Sequence, residues 1–130
     1  MEQWRAVVYH RDWQRCVAAG SGGCAGGLTL QHRVNRGMGG SGLVGDGPQW
    51  YVTMCARHNA ALEASADLAG KGRWSGWKLP HNRPVEALQL LVLRYPVLYG
   101  DGTWWFLDAE GLRIPSWDPV SAIARAEASA

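Results

Sequence analysis

Residues 28 to 42 read LTLQHRVNRGMGGSG, and this stretch changes character halfway along. Its first part alternates apolar and polar side chains and includes the β-favouring Thr29, which predicts a strand over 28–33. Its second part is rich in glycine and predicts a loop that continues to Pro48. A histidine, His32, therefore lies where the predicted strand gives way to the loop.

Short predicted elements flank this stretch on both sides. Residues 2–14 place apolar side chains near helical spacing and predict an N-terminal helix. Beyond the loop, WYVTM at 50–54 predicts a second strand. Alanine-rich residues 56–68 predict a helix that ends at Gly70 and Gly72. The predicted order is therefore strand, long loop, strand, helix.

The C-terminal part has a different pattern. Residues 90–114 contain two β-rich runs joined by GDG, which predicts a β-hairpin, and Pro96 predicts an edge strand or a bulge in the first run. The last residues predict a helical tail capped by Asp118, with Pro119 at its first position.

Composition limits the class of protein. A chain of 130 residues with eight tryptophans and 47% hydrophobic residues is not a disordered protein. No run approaches the roughly 18 apolar residues that a membrane helix needs, and the first residues do not form a signal peptide. We therefore expect a cytoplasmic protein without a membrane partner. In a reducing compartment its three cysteines are more typical of metal ligands or buried thiols than of disulfides.

Four side chains have the chemistry of a structural zinc site. Cys16 and Cys24 are separated by seven residues, and Cys55 and His58 by two. Thiolate and imidazole are the preferred ligands of tetrahedral zinc, so two such pairs predict a Cys3His site. The alternative is that Cys16 and Cys55 are buried core thiols and that Cys24 is incidental.

The order of these features resembles the HNH endonuclease motif. In that family a strand ending in histidine, a glycine-containing loop, a second strand and a cysteine knuckle at the start of a helix form a ββα-metal finger. LTLQHRVNRGMGGS, GWKL and GDGTWWFLDAEG are similar to HNH proteins of actinobacteria and their phages. The resemblance covers roughly residues 11–111. It implies a metal-dependent DNA endonuclease from a phage or a bacterium, acting in the host cytoplasm if phage-encoded.

The resemblance also implies an architecture. We expect an α+β chain in which residues 1–78 form the ββα-metal nuclease core, with an N-terminal helix and the zinc knuckle. Residues 79–130 would add the β-hairpin and the tail within the same compact unit.

The family motif implies roles for particular residues. His32 falls on the position of the general base, and Asn59 falls on the last histidine of the motif, which makes an HNN-like variant. Gln31 stands where the family has a metal-binding side chain, and Trp50 stands where the central asparagine is expected. Glu63 follows Asn59 by four residues on the predicted helix and so shares its face. We expect Gln31, Asn59 and Glu63 to hold a catalytic Mg2+, Mn2+ or Ni2+ ion.

Arginines near this site predict contacts with DNA. Arg33, Arg36 and Arg57 could neutralise phosphates, although ordinary solvated charge is the alternative. Two other readings of the whole chain remain open at this point. One is a non-catalytic zinc-finger module that binds DNA or protein through a decayed HNH site. The other is a nuclease that is active only beside a terminase-type partner.

Overall fold

The computed structural model describes residues 2–35 and 44–128 and contains both helices and strands, so the predicted α+β class is confirmed. Among the described residues no helix is both long and apolar enough to cross a membrane. The elements in chain order are α1 (Glu2–Arg11), β1 (Leu28–His32), β2 (Tyr51–Cys55), α2 (Ala56–Ala64), α3 (Ala66–Trp74), α4 (Val85–Arg94), β3 (Val97–Leu98), β4 (Trp104–Leu107), β5 (Arg113–Pro115) and α5 (Pro119–Ala128).

The two strands and the helical segment predicted around His32 are present, whereas residues 36–43 of the predicted loop lie outside the described residues. β1 and β2 form an antiparallel pair whose register joins Leu28 to Cys55 and His32 to Tyr51. α2 follows β2 without a connecting loop, because Cys55 is both the last residue of the strand and the N-cap of the helix. Its Sγ accepts a hydrogen bond from the His58 amide at 3.4 Å. Such a cap satisfies an amide that the first helical turn leaves without a partner.

The helix predicted over 56–68 is two helices. Ser65 separates them, because it is the C-cap of α2 and the N-cap of α3. Its Oγ accepts a hydrogen bond from the Leu68 amide at 3.3 Å. Gly70 and Gly72 lie inside α3, so the prediction that they end a helix is wrong. A Cβ on Gly72 would lie 2.6 Å from Leu62 Cδ2, because the two helices pack closely at this glycine.

The hairpin predicted over 90–114 is wrong in its first part, where α4 continues to its last residue, Arg94. Leu88, Leu91 and Val92 are buried on one face of this helix, at the three- and four-residue spacing of helical packing. The GDG turn does join β3 to β4, and β5 adds a third antiparallel strand. Pro96 directly precedes the edge strand β3, in keeping with its lack of a donor.

The C-terminal tail forms the predicted helix. α5 begins at Pro119, and Asp118 Oδ1 accepts a hydrogen bond from the Ser121 amide at 3.3 Å. Capping by this carboxylate lowers its pKa, and the hydrogen bond with Ser121 is the main cause. The predicted Asp118 cap is therefore confirmed.

The N-terminal helix ends at Arg11 rather than at residue 14. Trp13 and Gln14 adopt left-handed backbone angles, with φ of 57° and 52°. Arg11 and Asp12 form a buried ion pair at 2.8 Å, and Asp12 Oδ2 accepts from the Thr53 amide at 2.9 Å. These contacts fix the end of α1 against the buried strand β2.

Two hydrophobic clusters make up the core. The first joins α1, the β1–β2 pair and α4, and the second lies between β2, α2 and the C-terminal sheet. β2 lies between them and is buried along its whole length. This rigid strand positions both polar sites described below, since Cys55 ends it and Tyr51 pairs with His32.

Candidate metal centres

The predicted zinc ligands come together. Cys16, Cys24, Cys55 and His58 form a cluster in which all the ligand atoms lie within 4.8 Å of one another. Within residues 2–35 and 44–128 this is the sole group of three or more His, Cys, Asp or Glu side chains that could hold a metal ion. The cluster is compatible with a structural zinc ion.

Local backbone contacts explain how distant residues reach this cluster. Cys55 and His58 meet because they are three residues apart at the start of α2. The Val17 amide donates to Thr53 O at 2.9 Å and brings the neighbouring Cys16 beside β2. The loop after Cys24 is tied to the start of α2, where the amides of residues 56 and 57 donate to the carbonyls of residues 27 and 25 at 2.9 and 3.1 Å.

The spacing of the ligand atoms fits tetrahedral zinc. His58 Nδ1 lies 3.5, 3.6 and 3.2 Å from the Sγ atoms of Cys16, Cys24 and Cys55. A tetrahedral ion with Zn–S near 2.3 Å and Zn–N near 2.0 Å places sulfur and nitrogen about 3.5 Å apart. His58 Nε2 lies 2.9 Å from Gly22 O, so a proton on Nε2 leaves Nδ1 to coordinate.

The cysteines differ in how readily they ionise. Burial raises the pKa of Cys16 to about 12. Burial also opposes ionisation of Cys55, but hydrogen bonds from the His58 and Ala25 amides, together with the other two thiols, lower its pKa to about 6. Cys55 is therefore the thiol that ionises most readily, and a bound cation would favour ionisation of Cys16 and Cys24.

A second polar site lies at the far end of β1. A pocket of about 190 Å3 is lined by Gln31, His32, Asn35, Asn59, Glu63 and Lys78. Every residue predicted to form the catalytic site therefore lines one pocket, between the end of β1 and the outer face of α2. Asn59 and Glu63 contribute from successive turns of the helix.

Internal contacts hold several of these side chains. Gln31 Nε2 donates to the backbone oxygen of His32 at 2.7 Å. Asn59 Nδ2 donates to Thr29 Oγ1 at 2.7 Å, and that hydroxyl in turn donates to a β2 carbonyl. Glu63 pairs with Lys78 at 3.0 Å. The His32 ring packs edge-on against Tyr51, with ring centroids 5.0 Å apart.

The oxygen ligands of this pocket suit a hard divalent cation, but they carry only one negative charge between them. Three amide side chains and one carboxylate supply oxygen atoms, and magnesium sites often combine one or two carboxylates with substrate phosphate. The Glu63 carboxylate is engaged by the Lys78 ammonium, so a cation would compete with Lys78 for it. Asn35 and Lys78 also line this pocket, and sequence reasoning assigned neither of them to it. Nothing in GWKL indicates that Lys78 lies opposite α2.

The expectation that Arg33 contacts DNA must be corrected. Arg33 is fully buried, with 0% of its surface exposed. Its guanidinium donates to the carbonyl oxygens of Gly76, Gln49, Val92 and Tyr95 at 2.7 to 2.9 Å. Burial, and to a lesser extent the nearby Arg11, lower the pKa of Arg33 to about 9, so it remains charged at neutral pH.

The other two arginines have different outcomes. Arg57 is exposed, and its Nη1 donates to Gly23 O at 2.5 Å beside the Cys3His cluster. Arg36 lies outside the described residues.

Trp50, at the position of the family's central asparagine, is buried in the core with 2% exposure. Packing therefore holds the chain at that point.

The chain matches no protein-family model, and no curated protein or solved structure is significantly similar to it. The HNH resemblance therefore stays a prediction from the sequence motifs.

Proposed function

We propose that this chain is a metal-dependent DNA endonuclease of the HNH type. The observation that supports the proposal most directly is the pocket in which His32 lies together with Asn59 and Glu63. The pocket is formed by an antiparallel strand pair and the helix that follows it, with the Cys3His cluster at the start of that helix.

The proposed chemistry begins with His32. Unperturbed imidazole has a pKa near 6.5 and is well suited to accept a proton from water near neutral pH. As His32 takes a proton from water, the water oxygen would attack the phosphorus of a DNA phosphodiester. The bond from phosphorus to one sugar oxygen would break, and that oxygen would leave as a hydroxyl after taking up a proton from solvent. Tyr51, packed against the ring, limits rotation of His32.

The helix side of the pocket would hold the catalytic ion. Glu63 would provide the negative charge, and the side-chain oxygens of Asn59 and Gln31 would provide neutral ligands. A Mg2+, Mn2+ or Ni2+ ion would supply stabilisation of the charge that develops on the phosphate oxygens and the leaving group. Lys78 lines the same pocket and could also contribute positive charge toward a phosphate.

Cleavage of supercoiled plasmid DNA tests the proposal. Zinc-loaded protein supplied with Mg2+, Mn2+ or Ni2+ should nick the plasmid, and His32→Ala should slow the reaction by about 100-fold or more, as expected for loss of a general base. His10→Ala is a matched control, because His10 is an exposed histidine on α1. Equal cleavage by His32→Ala and the parent chain would reject the assignment.

A second candidate is a non-catalytic zinc module that binds DNA or a protein. The pairing of Glu63 with Lys78 favours it, because this pair partly neutralises the single carboxylate of the pocket. DNA binding without cleavage, unchanged in His32→Ala, would select this candidate. A nuclease that needs a terminase-type partner would instead cleave once that partner is added, and His32→Ala would abolish the added activity.

A further inference from the structure

A third pocket adjoins the Cys3His cluster, since Cys16 belongs to the cluster and also lines the pocket. Its volume is about 270 Å3, and it is formed by the turn after α1, the β3–β4 turn and β5. Trp13, Arg15, Tyr99, Asp101 and Arg113 are among the residues that line it. Ligand pockets commonly measure about 300 to 1,000 Å3, so this one lies just below that range and suits a single small ligand.

Arg113 is stacked among aromatic rings in this pocket. Its guanidinium carbon lies 4.1 Å from the ring centroid of Trp105, 4.6 Å from that of Tyr99 and 5.0 Å from that of Trp13. Among residues 2–35 and 44–128, the structure gives the guanidinium no hydrogen bond or ion pair. A stacked guanidinium keeps its edge N–H groups for an acceptor, and their fork geometry matches a phosphate.

Trp13 presents an aromatic surface at the edge of the pocket. The residue is 68% exposed although its ring borders Arg113. It lies in the left-handed turn that ends α1. Two hydrogen bonds hold this turn: the Trp13 amide donates to His10 O at 3.1 Å, and the Gln14 amide donates to Tyr9 O at 2.8 Å. A bulky side chain in such a conformation is uncommon, and here the conformation places the indole at the pocket.

The charges of the pocket favour an anion. Asp12 is engaged by Arg11, by the Tyr99 hydroxyl and by the Thr53 amide, so its charge is already balanced. Asp101 accepts a hydrogen bond from the Thr103 amide at 3.1 Å and is the remaining carboxylate in the lining. The hydrogen bonds from Thr103 and, to a smaller extent, the charge of Arg113 lower the pKa of Asp101, so Arg113 is partly balanced by this carboxylate and Arg15 leaves the lining with excess positive charge.

We propose that this pocket binds one nucleotide unit, with the base stacked on Trp13 and the phosphate held by Arg113 and Arg15. Single-stranded nucleic acid and free nucleotides both bind to an exposed aromatic ring, on which the base stacks, beside positive charge that holds the phosphate. The inference does not rest on the proposed nuclease function, since none of its residues lines the His32 pocket.

Fluorescence anisotropy with a labelled oligothymidylate of about eight nucleotides tests the inference. The full zinc-loaded chain is used at low salt without added Mg2+, Mn2+ or Ni2+. Loss of one stacking contact should raise Kd by at least about fivefold, so Trp13→Ala and Arg113→Gln should each weaken binding to this extent. Trp13→Phe should stay within about twofold of the parent chain, because it retains an aromatic face.

Matched controls separate this pocket from general surface effects. Trp117→Ala removes a tryptophan that is 90% exposed, and Arg94→Gln removes an exposed arginine at the end of α4. Both should leave Kd unchanged. Zinc content and far-UV circular dichroism verify that each variant is folded. Equal binding by the parent chain, Trp13→Ala and Arg113→Gln, or no binding by the parent chain, would overturn the inference.

Competition identifies the source of the nucleotide. Unlabelled thymidine monophosphate and unlabelled oligothymidylate are compared as competitors at equal concentrations of nucleotide. If thymidine monophosphate displaces the labelled probe as well as the oligonucleotide does, the pocket is assigned to free nucleotides. Displacement only by the oligonucleotide would assign it to a strand, and both results support a nucleotide site. Displacement by inorganic phosphate as effective as that by thymidine monophosphate would overturn the inference, because an anion alone would then account for binding. Plasmid cleavage is read independently, so failure here leaves the proposed function to its own test.

Discussion

The Cys3His cluster and the His32 pocket lie at opposite ends of the β1–β2 pair, and they differ in what holds their side chains. In the cluster, three sulfur atoms and one nitrogen face a common centre at distances that suit a tetrahedral ion. In the His32 pocket, Gln31, Asn59 and Glu63 are already bonded to groups of the protein.

This difference indicates two kinds of metal dependence. Close thiols repel one another when ionised, so the cluster gains stability from a cation. The His32 pocket is held by hydrogen bonds and an ion pair, and an ion entering it must compete with Lys78. Zinc should therefore be needed for folding, whereas the proposed catalytic ion should be exchangeable.

The largest expected effect comes from breaking the cluster. His58→Ala removes the nitrogen ligand, and zinc binding of about 10 to 16 kcal/mol contributes directly to folding in small zinc proteins. We expect zinc content to fall below about a tenth of an equivalent and helical circular dichroism to be largely lost. His10→Ala should keep both. A folded His58→Ala chain with a full equivalent of zinc would show that the cluster is not a zinc site.

The second largest effect is expected at Arg33, which holds the His32 end of β1 through hydrogen bonds within the protein and without a metal ion. Arg33→Met leaves the four carbonyl acceptors of this buried cation without their donor. We expect a loss of about 3 to 5 kcal/mol in the free energy of unfolding, measured by urea denaturation, with zinc content unchanged. Arg94→Met, at an exposed position, should change stability by less than about 0.5 kcal/mol. A similarly small change for Arg33→Met would contradict the structural role of this residue.

The smallest expected effect tests whether Lys78 competes with a metal ion for the Glu63 carboxylate in the His32 pocket. Lys78→Met removes the ammonium that pairs with Glu63, and partly exposed pairs are worth up to about 1 kcal/mol. Mn2+ should therefore bind up to about fivefold more tightly, as measured by titration calorimetry. Lys71→Met is the control, because Lys71 contacts Ser21 and lies over Trp77 instead. Weaker Mn2+ binding by Lys78→Met would show that Lys78 does not compete with the ion.

Local patterns in the sequence predicted the site better than they predicted the C-terminal half. Cys55 and His58 are three residues apart, and His32 ends an alternating strand, so short-range geometry was enough to place them. The helix α4 was mistaken for a strand because LQLLVL is apolar on several sides, and periodicity in so short a run does not separate helix from buried strand.

The role of Arg33 could not be predicted for a different reason. Its four acceptors lie 16 to 62 residues away in the sequence, on segments that meet only in the folded chain. A basic residue next to His32 resembles a phosphate contact until that burial is known. The pairing of Glu63 with Lys78 was hidden in the same way, because α3 separates the two residues.

The most direct test of two distinct metal sites is a titration of the zinc-loaded chain with Mn2+, followed by the electron paramagnetic resonance signal of free Mn2+. The parent chain should bind one Mn2+ while keeping its zinc. Glu63→Gln should weaken Mn2+ binding at least about tenfold with zinc retained, because it removes the charged ligand. Glu127→Gln, which alters a paired glutamate on α5, should bind as the parent does. Equal Mn2+ binding by Glu63→Gln and the parent chain, or Mn2+ that binds only by displacing zinc, would contradict the account.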